Sequence, residues 1–391
     1  MRADRRGRRP RGRRRTHPRR RRRPRLPAVS DVDAPPEIDR VADAPHPRSA
    51  ARLFGQAAAE AAFLESWASG KLPHAWLLRG PRGVGKATLA YRIARALLAD
   101  PAPRETLDLD PAHPVARRVA AGSEPGLYVL RRPWDAKKKR HATVITAEAA
   151  RAMERDFFRL TAADGGWRVA VVDAADDLNA ESANALLKVI EEPPPQALIL
   201  LVAHAAAAVL PTIRSRCRTL TLGPLAEPDF ARALETAGAP AAEPAGLAAL
   251  SGAAPGEALR LLADDGPALY ADLVALAATA PGLDRRALMR LADGLGGRAG
   301  ATRFDLALRL TATLLQRLAR AAALGPQPEA APGEAAATLR LAPDAAAARR
   351  WAEAAARVED AAARARAVNL DPAQTILDIW LEIDATAAAA R

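Results

Sequence analysis

The sequence of 391 residues contains one cysteine, Cys217, and aromatic residues make up only 4% of it. A single cysteine excludes a disulfide framework and any zinc site built on several cysteines, and it suits a reducing cytoplasm. No apolar run approaches the roughly 18–20 residues that a membrane-spanning helix needs, which excludes an integral membrane protein of that kind. Much of the 49% hydrophobic fraction is alanine. We therefore expect aliphatic cores and a large share of helix.

The net charge of +13 is concentrated at the N-terminus. Residues 1–25 hold 15 arginines and one acidic residue, Asp4. The other 366 residues carry 43 basic and 44 acidic side chains, so the body of the protein is nearly neutral. The high isoelectric point is therefore a property of this basic arm and does not indicate a DNA-binding surface on the folded part.

The basic arm has almost nothing to bury and is predicted to be disordered, together with a proline-rich linker that ends near residue 48. Three interpretations of the arm stay open. It is a nucleic-acid-binding tail, since each arginine can neutralise a phosphate. It is a targeting peptide, although no apolar segment follows as in a secretory signal. It is upstream sequence that is not translated, with the true start near Val29.

Continuous aliphatic runs alternate with helical patterns in the first half of the chain. The runs predict strands at residues 75–78, 168–172 and 198–202, and the patterns predict helices at 57–67, 86–99, 147–159 and 180–191. Buried strands separated by helices indicate a parallel sheet covered on both faces. Residues 101–143 contain several prolines and are predicted to be irregular, with the basic run at 137–140 in a solvated loop. After Pro224 only helical periodicity remains, which predicts an all-α second half.

The strongest motif is GPRGVGKAT at residues 80–88, between a predicted strand and a predicted helix, where a P-loop belongs. Gly80, Gly83 and Gly85 let successive backbone N–H groups turn toward phosphates, and the helix N-terminus adds the positive end of its dipole. Lys86 is predicted to reach the β- and γ-phosphates. The spacing therefore predicts a nucleotide site built on this loop.

The P-loop departs from its pattern at Ala87, where a Ser or Thr would hold Mg²⁺. Thr88 follows one residue later, which on a helix is a rotation of about 100°. We count Thr88 among the candidate nucleotide-binding residues of a degenerate site. No cofactor is expected to be required, and ATP or ADP is expected to bind weakly at most. No metal site is expected.

Asp173 follows the predicted strand at 168–172, as the Walker B carboxylate does in P-loop proteins. Such a residue would support Mg²⁺; the alternative is a carboxylate that caps the strand end. The next residue is commonly a Glu that polarises the attacking water, and here it is Ala174. An alanine accepts no proton and orients no water, so we expect hydrolysis to be impaired.

Two further segments carry a resemblance to a known family. PTIRSRC at residues 211–217 resembles the Ser-Arg-Cys motif of clamp-loader subunits of the AAA+ class, and NALLKVIEEPP at 184–194 resembles a helix of the same family. In that family the motif's arginine projects into the nucleotide site of the neighbouring subunit. The resemblance, which covers about residues 50–225, implies that Arg216 is an arginine finger acting in trans. Cys217 is interpreted as a packed small hydrophobe.

The pattern of missing groups resembles the delta-prime family of bacterial clamp-loader subunits, which do not hydrolyse ATP. The Mg²⁺ ligand is replaced by Ala87 and the catalytic Glu by Ala174; the polar sensor residue after the third predicted strand is replaced by Ala203, and the sensor arginine of the lid by Gly256. Arg216, which would act on a neighbour, is kept.

His204, beside the missing sensor residue, allows two interpretations. It contacts phosphate, or it is a surface histidine at a strand end, which we favour. The four-cysteine zinc module of many family members is also absent.

The resemblance implies an AAA+ P-loop core at residues 49–223, a helical lid at 224–266 and a helical collar at 267–391. It implies a subunit of the DNA polymerase III holoenzyme in the cytoplasm, associated with the nucleoid through the replisome and without ATPase activity of its own. The implied partners are gamma/tau and delta subunits and, through the complex, the sliding clamp and primed DNA, with no membrane. Lys86 and Asp173 support the alternative, an active gamma/tau-like motor.

Overall fold

The computed structural model of the protein describes residues 37–38, 40–41, 44–159, 166–205, 207–239, 243–295, 300–368 and 370–389. The predictions made for the basic arm and for residues 1–28 lie outside the described residues. Within these ranges, none of the helices combines the length and the apolar character of a membrane-spanning segment.

Five parallel strands form the central sheet, in the order β2-β5-β6-β1-β7. The strands of the described chain are β1 (Ala75–Arg79), β2 (Leu127–Leu130), β3 (Trp134–Asp135), β4 (Arg140–His141), β5 (Arg168–Asp173), β6 (Ala197–Ala203) and β7 (Arg218–Thr221). Strands β3 and β4 make a separate antiparallel hairpin. The register aligns Asp173 with Val202, and Arg79 with Ala203, so the carboxyl ends of the three central strands lie at one edge of the sheet.

The helices of this half cover both faces of the sheet. They are α1 (Ala57–Ala68), α2 (Lys86–Ala99), α3 (Pro114–Ala121), α4 (Ala147–Ala152), α5 (Ala180–Glu191) and α6 (Pro211–Arg214). Alternate residues of each strand point to opposite faces. Trp76 and Leu78 therefore pack with α1 and α2, whereas Ala75 and Leu77 pack with α4 and α5.

The three predicted strands and the parallel sheet are confirmed, and helices α2 and α5 have the predicted bounds. The helix predicted at 147–159 begins as α4 and continues as a π-helical turn, Met153–Phe158. The prediction that residues 101–143 are irregular is wrong, because they contain α3, β2 and the β3–β4 hairpin. Strand β7 was also missed. Strands β2 and β7 have four residues each and are only partly buried. Strand β2 (LYVL) is a short apolar run in a stretch with several prolines, and β7 (RTLT) contains one apolar residue.

The described residues after Pro224 form helices and no strands, as predicted. They are α7 (Glu227–Thr236), α8 (Pro244–Ser251), α9 (Pro255–Ala263), α10 (Gly266–Ala277), α11 (Arg285–Asp293), α12 (Gly300–Leu324), α13 (Glu334–Leu341), α14 (Ala345–Val368) and α15 (Pro372–Ala388). Helices α7 to α9 share a small core around Phe230, and the later helices share a larger one around Tyr270, Trp351 and Trp380. The domain boundaries after residues 223 and 266 stay predictions.

Residues 44–51, at the end of the predicted linker, pack against α2. The guanidinium of Arg95 donates to the backbone carbonyls of Arg48 at 3.0 Å and of Ala50 at 2.6 Å. The ring of His46 meets that of Tyr91 edge to face, with their centroids 5.9 Å apart. The folded body therefore includes residues on the N-terminal side of the boundary predicted at residue 48. Several residues of this segment line the cleft described below.

Candidate nucleotide cleft and exposed arginine

The P-loop connects β1 to α2 and needs its glycines for conformation. Gly80, Gly83 and Gly85 have φ angles of +149°, +84° and +102°, a region that side chains with a Cβ rarely adopt. A Cβ on Gly80 would lie 2.1 Å from the carbonyl oxygen of Leu222, so this residue also admits no side chain. The loop therefore has the tight turn that a phosphate-binding loop requires.

Lys86 begins α2 and turns back into the loop. Its Nζ donates to the carbonyl oxygens of Gly80 at 2.7 Å and Pro81 at 2.6 Å, and the residue is only 3% exposed. Burial lowers the pKa of Lys86 to about 8, while the negative charges of Asp173 and Asp176 act in the opposite direction. The ammonium is thus held by carbonyl oxygens of the loop, in a residue that lines the cleft described next.

A cleft of about 540 Å³ opens at this edge of the sheet. The structure brings to it most of the residues predicted from the motifs. The predicted residues that line it are Gly83, Gly85, Lys86, Thr88 and Asp173. Gly80 takes part through its carbonyl, which accepts from Lys86. Ala87 and Thr88 both line the cleft, so the rotation of about 100° between them does not remove Thr88 from it.

Asp176 closes the loop that follows β6, a role that sequence reasoning missed. Its carboxylate accepts from the backbone N–H groups of His204 at 2.7 Å and Ala205 at 2.6 Å. Asp177 pairs with Arg132, with 3.2 Å between Oδ2 and Nε. Asp176 and Asp177 therefore have structural roles at this strand end. Their position just after Asp173 in the sequence was the signal that could have identified them.

His204 is exposed toward the cleft, which it lines. Partial burial, followed by the positive charge of Lys86, lowers the pKa of His204 to about 4. The imidazole is therefore neutral at pH 7. The position of His204 at the end of β6 agrees with the interpretation as a surface histidine at a strand end. Because His204 also lines the cleft, the interpretation as a phosphate contact stays open.

Gly256, at the start of α9, packs against the P-loop. Its N–H donates to the carbonyl of Gly83 at 2.9 Å, and a Cβ on Gly256 would lie 2.9 Å from the Cα of Gly83. A side chain at this position would force the helix and the loop apart. The structure therefore gives a physical reason for glycine where the family's motor subunits carry an arginine.

Several cationic side chains that sequence reasoning did not assign to the site also line the cleft: Arg52, Arg82, Arg132 and Arg260. Arg260 comes from α9, far along the chain from the P-loop. No local motif marks it, and only the packing of α9 against the loop could have revealed its role.

Arg216 lies on the turn after α6 and is not among the described residues that line the cleft. Its side chain is 43% exposed. Its Nε pairs with Oε1 of Glu191 at 2.8 Å, and its Nη1 donates to the carbonyl of Thr212 at 3.1 Å. Arg216 therefore does not take part in the cleft at the P-loop.

Cys217 is partly buried beside this turn, and burial raises the pKa of its thiol to about 12. It packs against the core formed by one face of the sheet with α4 and α5. This agrees with a packed hydrophobe rather than a reactive thiol. In the described part of the chain, no group of His, Cys, Asp and Glu side chains has an arrangement that could hold a metal ion.

The parallel sheet, the P-loop after β1, the carboxylate at the end of β5 and the helical C-terminal half define a P-loop protein of the AAA+ class. A family model described as DNA polymerase III, delta subunit, matches residues 55–226. This part of the chain is therefore similar to that family. The family predicted from the motifs is thereby confirmed.

Curated relatives agree with this assignment. The chain is 38% identical over 193 residues to a DNA polymerase III subunit delta' of Pseudomonas aeruginosa, an alignment covering 48% of this chain and 55% of the relative. It is 27% identical to the Bacillus subtilis delta' subunit, over 40% of this chain and 44% of the relative. It is 31% identical to a gamma/tau subunit of Mycobacterium tuberculosis, over 44% of this chain and 28% of the relative. The chain thus spans about half the length of the delta' relatives that it matches.

Proposed function

We propose that the chain is a non-hydrolysing, delta-prime-like subunit of the DNA polymerase III clamp loader. In this role Arg216 completes the ATP site of a neighbouring gamma/tau subunit. The observation that carries the proposal is the position of Arg216, exposed on a turn and away from the chain's own cleft. A planar guanidinium in this position can enter an adjoining site and stabilise negative charge on the transferred phosphoryl group.

The contacts of Arg216 suit this role. Glu191 and Thr212 accept hydrogen bonds from Nε and Nη1. These two contacts restrain the guanidinium on the turn. A pre-oriented cation loses less entropy when it meets a phosphate than a freely rotating side chain does.

The chain's own cleft suits nucleotide binding better than hydrolysis. Ala87 offers no oxygen for Mg²⁺ and Ala174 offers no carboxylate to activate water, and loss of such a group is expected to reduce hydrolysis by orders of magnitude. Lys86 would contact phosphate there. Under this proposal the C-terminal helices join a collar with gamma/tau and delta subunits, and the complex places the sliding clamp on primed DNA in the cytoplasm.

The test of the proposal is the ATPase rate of a reconstituted clamp loader with Arg216→Ala in this subunit. We expect assembly to be unchanged and the turnover at the adjoining site to fall by about 10³-fold or more, the contribution typical of an arginine finger, which lowers the total rate of the complex. Arg216→Lys should not restore the rate, since lysine lacks the fork geometry. Arg214→Ala, which removes an arginine from the same turn, is the matched control. An unchanged rate in the Arg216→Ala complex would refute the trans role.

The competing function is an active gamma/tau-like motor. The presence of Lys86 and Asp173 at the cleft favours it. ATP hydrolysis by the purified chain separates the two functions. We expect almost no turnover. A rate comparable to that of a motor subunit, abolished by Lys86→Ala, would favour the motor.

A further inference from the structure

We propose that the cleft binds a nucleoside di- or triphosphate without Mg²⁺, and that Arg260 supplies the positive charge that the metal ion supplies in other P-loop sites. This goes beyond the role of Arg216 and does not depend on it.

Arg260 is placed to meet a phosphate. It lies one helical turn after Gly256 on α9, and the 2.9 Å hydrogen bond from Gly256 to Gly83 joins that helix to the P-loop. Arg260 lines the cleft together with Arg82 and Lys86. Because one turn of helix rises about 5.4 Å, the backbone of Arg260 lies about that far along α9 from the contact between Gly256 and the P-loop.

The protein contacts of Arg260 are long. Its Nη1 lies 3.5 Å from the carbonyl of Gly256 and 3.5 Å from Oε2 of Glu257, and its side chain is 26% exposed. Both distances are at the limit for a hydrogen bond. Glu257 is meanwhile engaged by Arg309 at 2.9 Å. The guanidinium of Arg260 therefore keeps most of its donor capacity for a ligand.

The charge of the cleft favours an anion. Five cationic side chains and two carboxylates line it, and one of those carboxylates, that of Asp177, is already paired with Arg132. Burial and then the charge of Arg82 lower the pKa of Arg260, so the cations repel one another in a partly buried space. A bound phosphate chain would relieve this repulsion.

The absence of a magnesium ligand at residue 87 explains why a cationic side chain such as Arg260 would be needed at the phosphates. Ala87 cannot hold Mg²⁺, so the charge between adjacent phosphates needs another cation. A guanidinium donates two parallel hydrogen bonds to phosphate oxygens and needs no coordination shell.

Apolar side chains also line the cleft. They include Leu53, Phe54, Leu225 and Leu259. The cleft volume of about 540 Å³ is within the range of small-molecule sites, and walls of this kind suit a base and a ribose. The ligand class is therefore a nucleotide rather than a bare phosphate.

The experiment measures the binding of ADP and ATP to the purified full chain by calorimetry, with Mg²⁺ and with EDTA. We expect the Kd to change by less than about twofold on chelation, because Ala87 offers the metal no oxygen ligand and Arg260 supplies the positive charge in its place. Arg260→Ala should raise the Kd by about tenfold or more, the loss of a charge-assisted hydrogen bond. Arg349→Ala is the control, since it removes an exposed arginine that pairs with Glu353 and does not line the cleft; it should bind as the wild-type chain does.

Several outcomes would overturn the proposal: binding that requires Mg²⁺, equal affinity in Arg260→Ala, or no binding to the folded wild-type chain. Competition by inorganic pyrophosphate as strong as that by ADP would show that the nucleoside adds nothing, which also contradicts it. The melting temperature of each variant with and without ADP in EDTA gives a second measurement, since a ligand that binds only the folded state raises it. None of these results alters the test of Arg216, which uses the assembled complex.

Discussion

Arg216 and Glu191 form an ion pair of 2.8 Å on the surface, with side chains that are 43% and 47% exposed. Glu191 is the last residue of α5, a helix that begins with a capping box between Asn179 and Ser182. The buried face of α5 packs on the sheet. The orientation of the exposed arginine is therefore tied to a rigid element of the fold and not to a flexible loop alone.

This pair makes Glu191 a positioning residue for the proposed arginine finger. Glu191→Gln should lower the ATPase rate of the reconstituted complex by about two- to fivefold, the equivalent of an exposed ion pair of up to about 1 kcal/mol. The melting temperature of the isolated chain should not change, because the pair is exposed.

Glu192→Gln, the same change at the next residue, is the control for Glu191→Gln and should leave the rate unaltered. If Glu191 acts through Arg216, then Glu191→Gln combined with Arg216→Ala should be no slower than Arg216→Ala alone. A further loss in the double variant would contradict the positioning role.

A buried polar network joins the helices after residue 224. Nε of Arg317 on α12 pairs with Oε1 of Glu334 at 2.6 Å, and the hydroxyl of Tyr270 donates to the same oxygen at 2.8 Å. Nη1 of Arg317 also donates to the carbonyl of Ala249 on α8 at 3.1 Å. The network thus connects a helix of the predicted lid to the helices of the predicted collar.

Arg317→Ala is expected to lower the free energy of unfolding by about 3–5 kcal/mol, since it leaves the buried carboxylate of Glu334 without its cation. Thermal and urea unfolding measure the effect. Arg349→Ala, which breaks the exposed pair with Glu353, is the control and should melt as the wild type does. Equal melting temperatures for the two variants would show that the network adds no stability.

The same network predicts a pH dependence. Burial opposes the charged form of Glu334, but hydrogen bonds from Arg317 and from the N–H of Ala330 outweigh it, so its pKa lies below the ordinary value. The stabilisation is therefore present above the pKa of the unfolded chain and is lost as the pH falls through the folded pKa. The Arg317→Ala variant should lose this acid-side dependence.

His204 should stay neutral well below pH 6.5, because partial burial and Lys86 lower its pKa to about 4. Between the unfolded and folded values the unfolded chain binds more protons, so this residue lowers stability as the pH falls from about 6.5 toward 4. NMR titration of the histidine rings measures the pKa, with His204→Gln to assign the signal. Bound ADP should raise this pKa, because phosphate offsets the charge of Lys86. A midpoint near 6.5 in the free chain would contradict the geometry of the cleft.

The local motifs predicted the P-loop, Lys86, Asp173 and the three central strands, because each depends on residues that are close in the chain. A glycine-rich turn between a strand and a helix has a characteristic spacing, and a fully buried strand has a continuous apolar run. Strand β2 is apolar but has only four residues in a stretch with several prolines, and β7 contains one apolar residue. Neither was recognised from its own pattern, and both depend on pairing with the neighbouring strand.

Residues distant in the sequence meet only after the helices have packed. Arg260 reaches the cleft because α9 docks on the P-loop through Gly256, and Glu191 meets Arg216 because α5 and α6 lie side by side. Periodicity reports which face of an element is buried, but it does not report which element covers that face. The residue pattern of the chain was thus sufficient to predict the type of domain and the family that it resembles. The cationic cleft and the orientation of Arg216 follow from contacts between residues that are distant in the sequence.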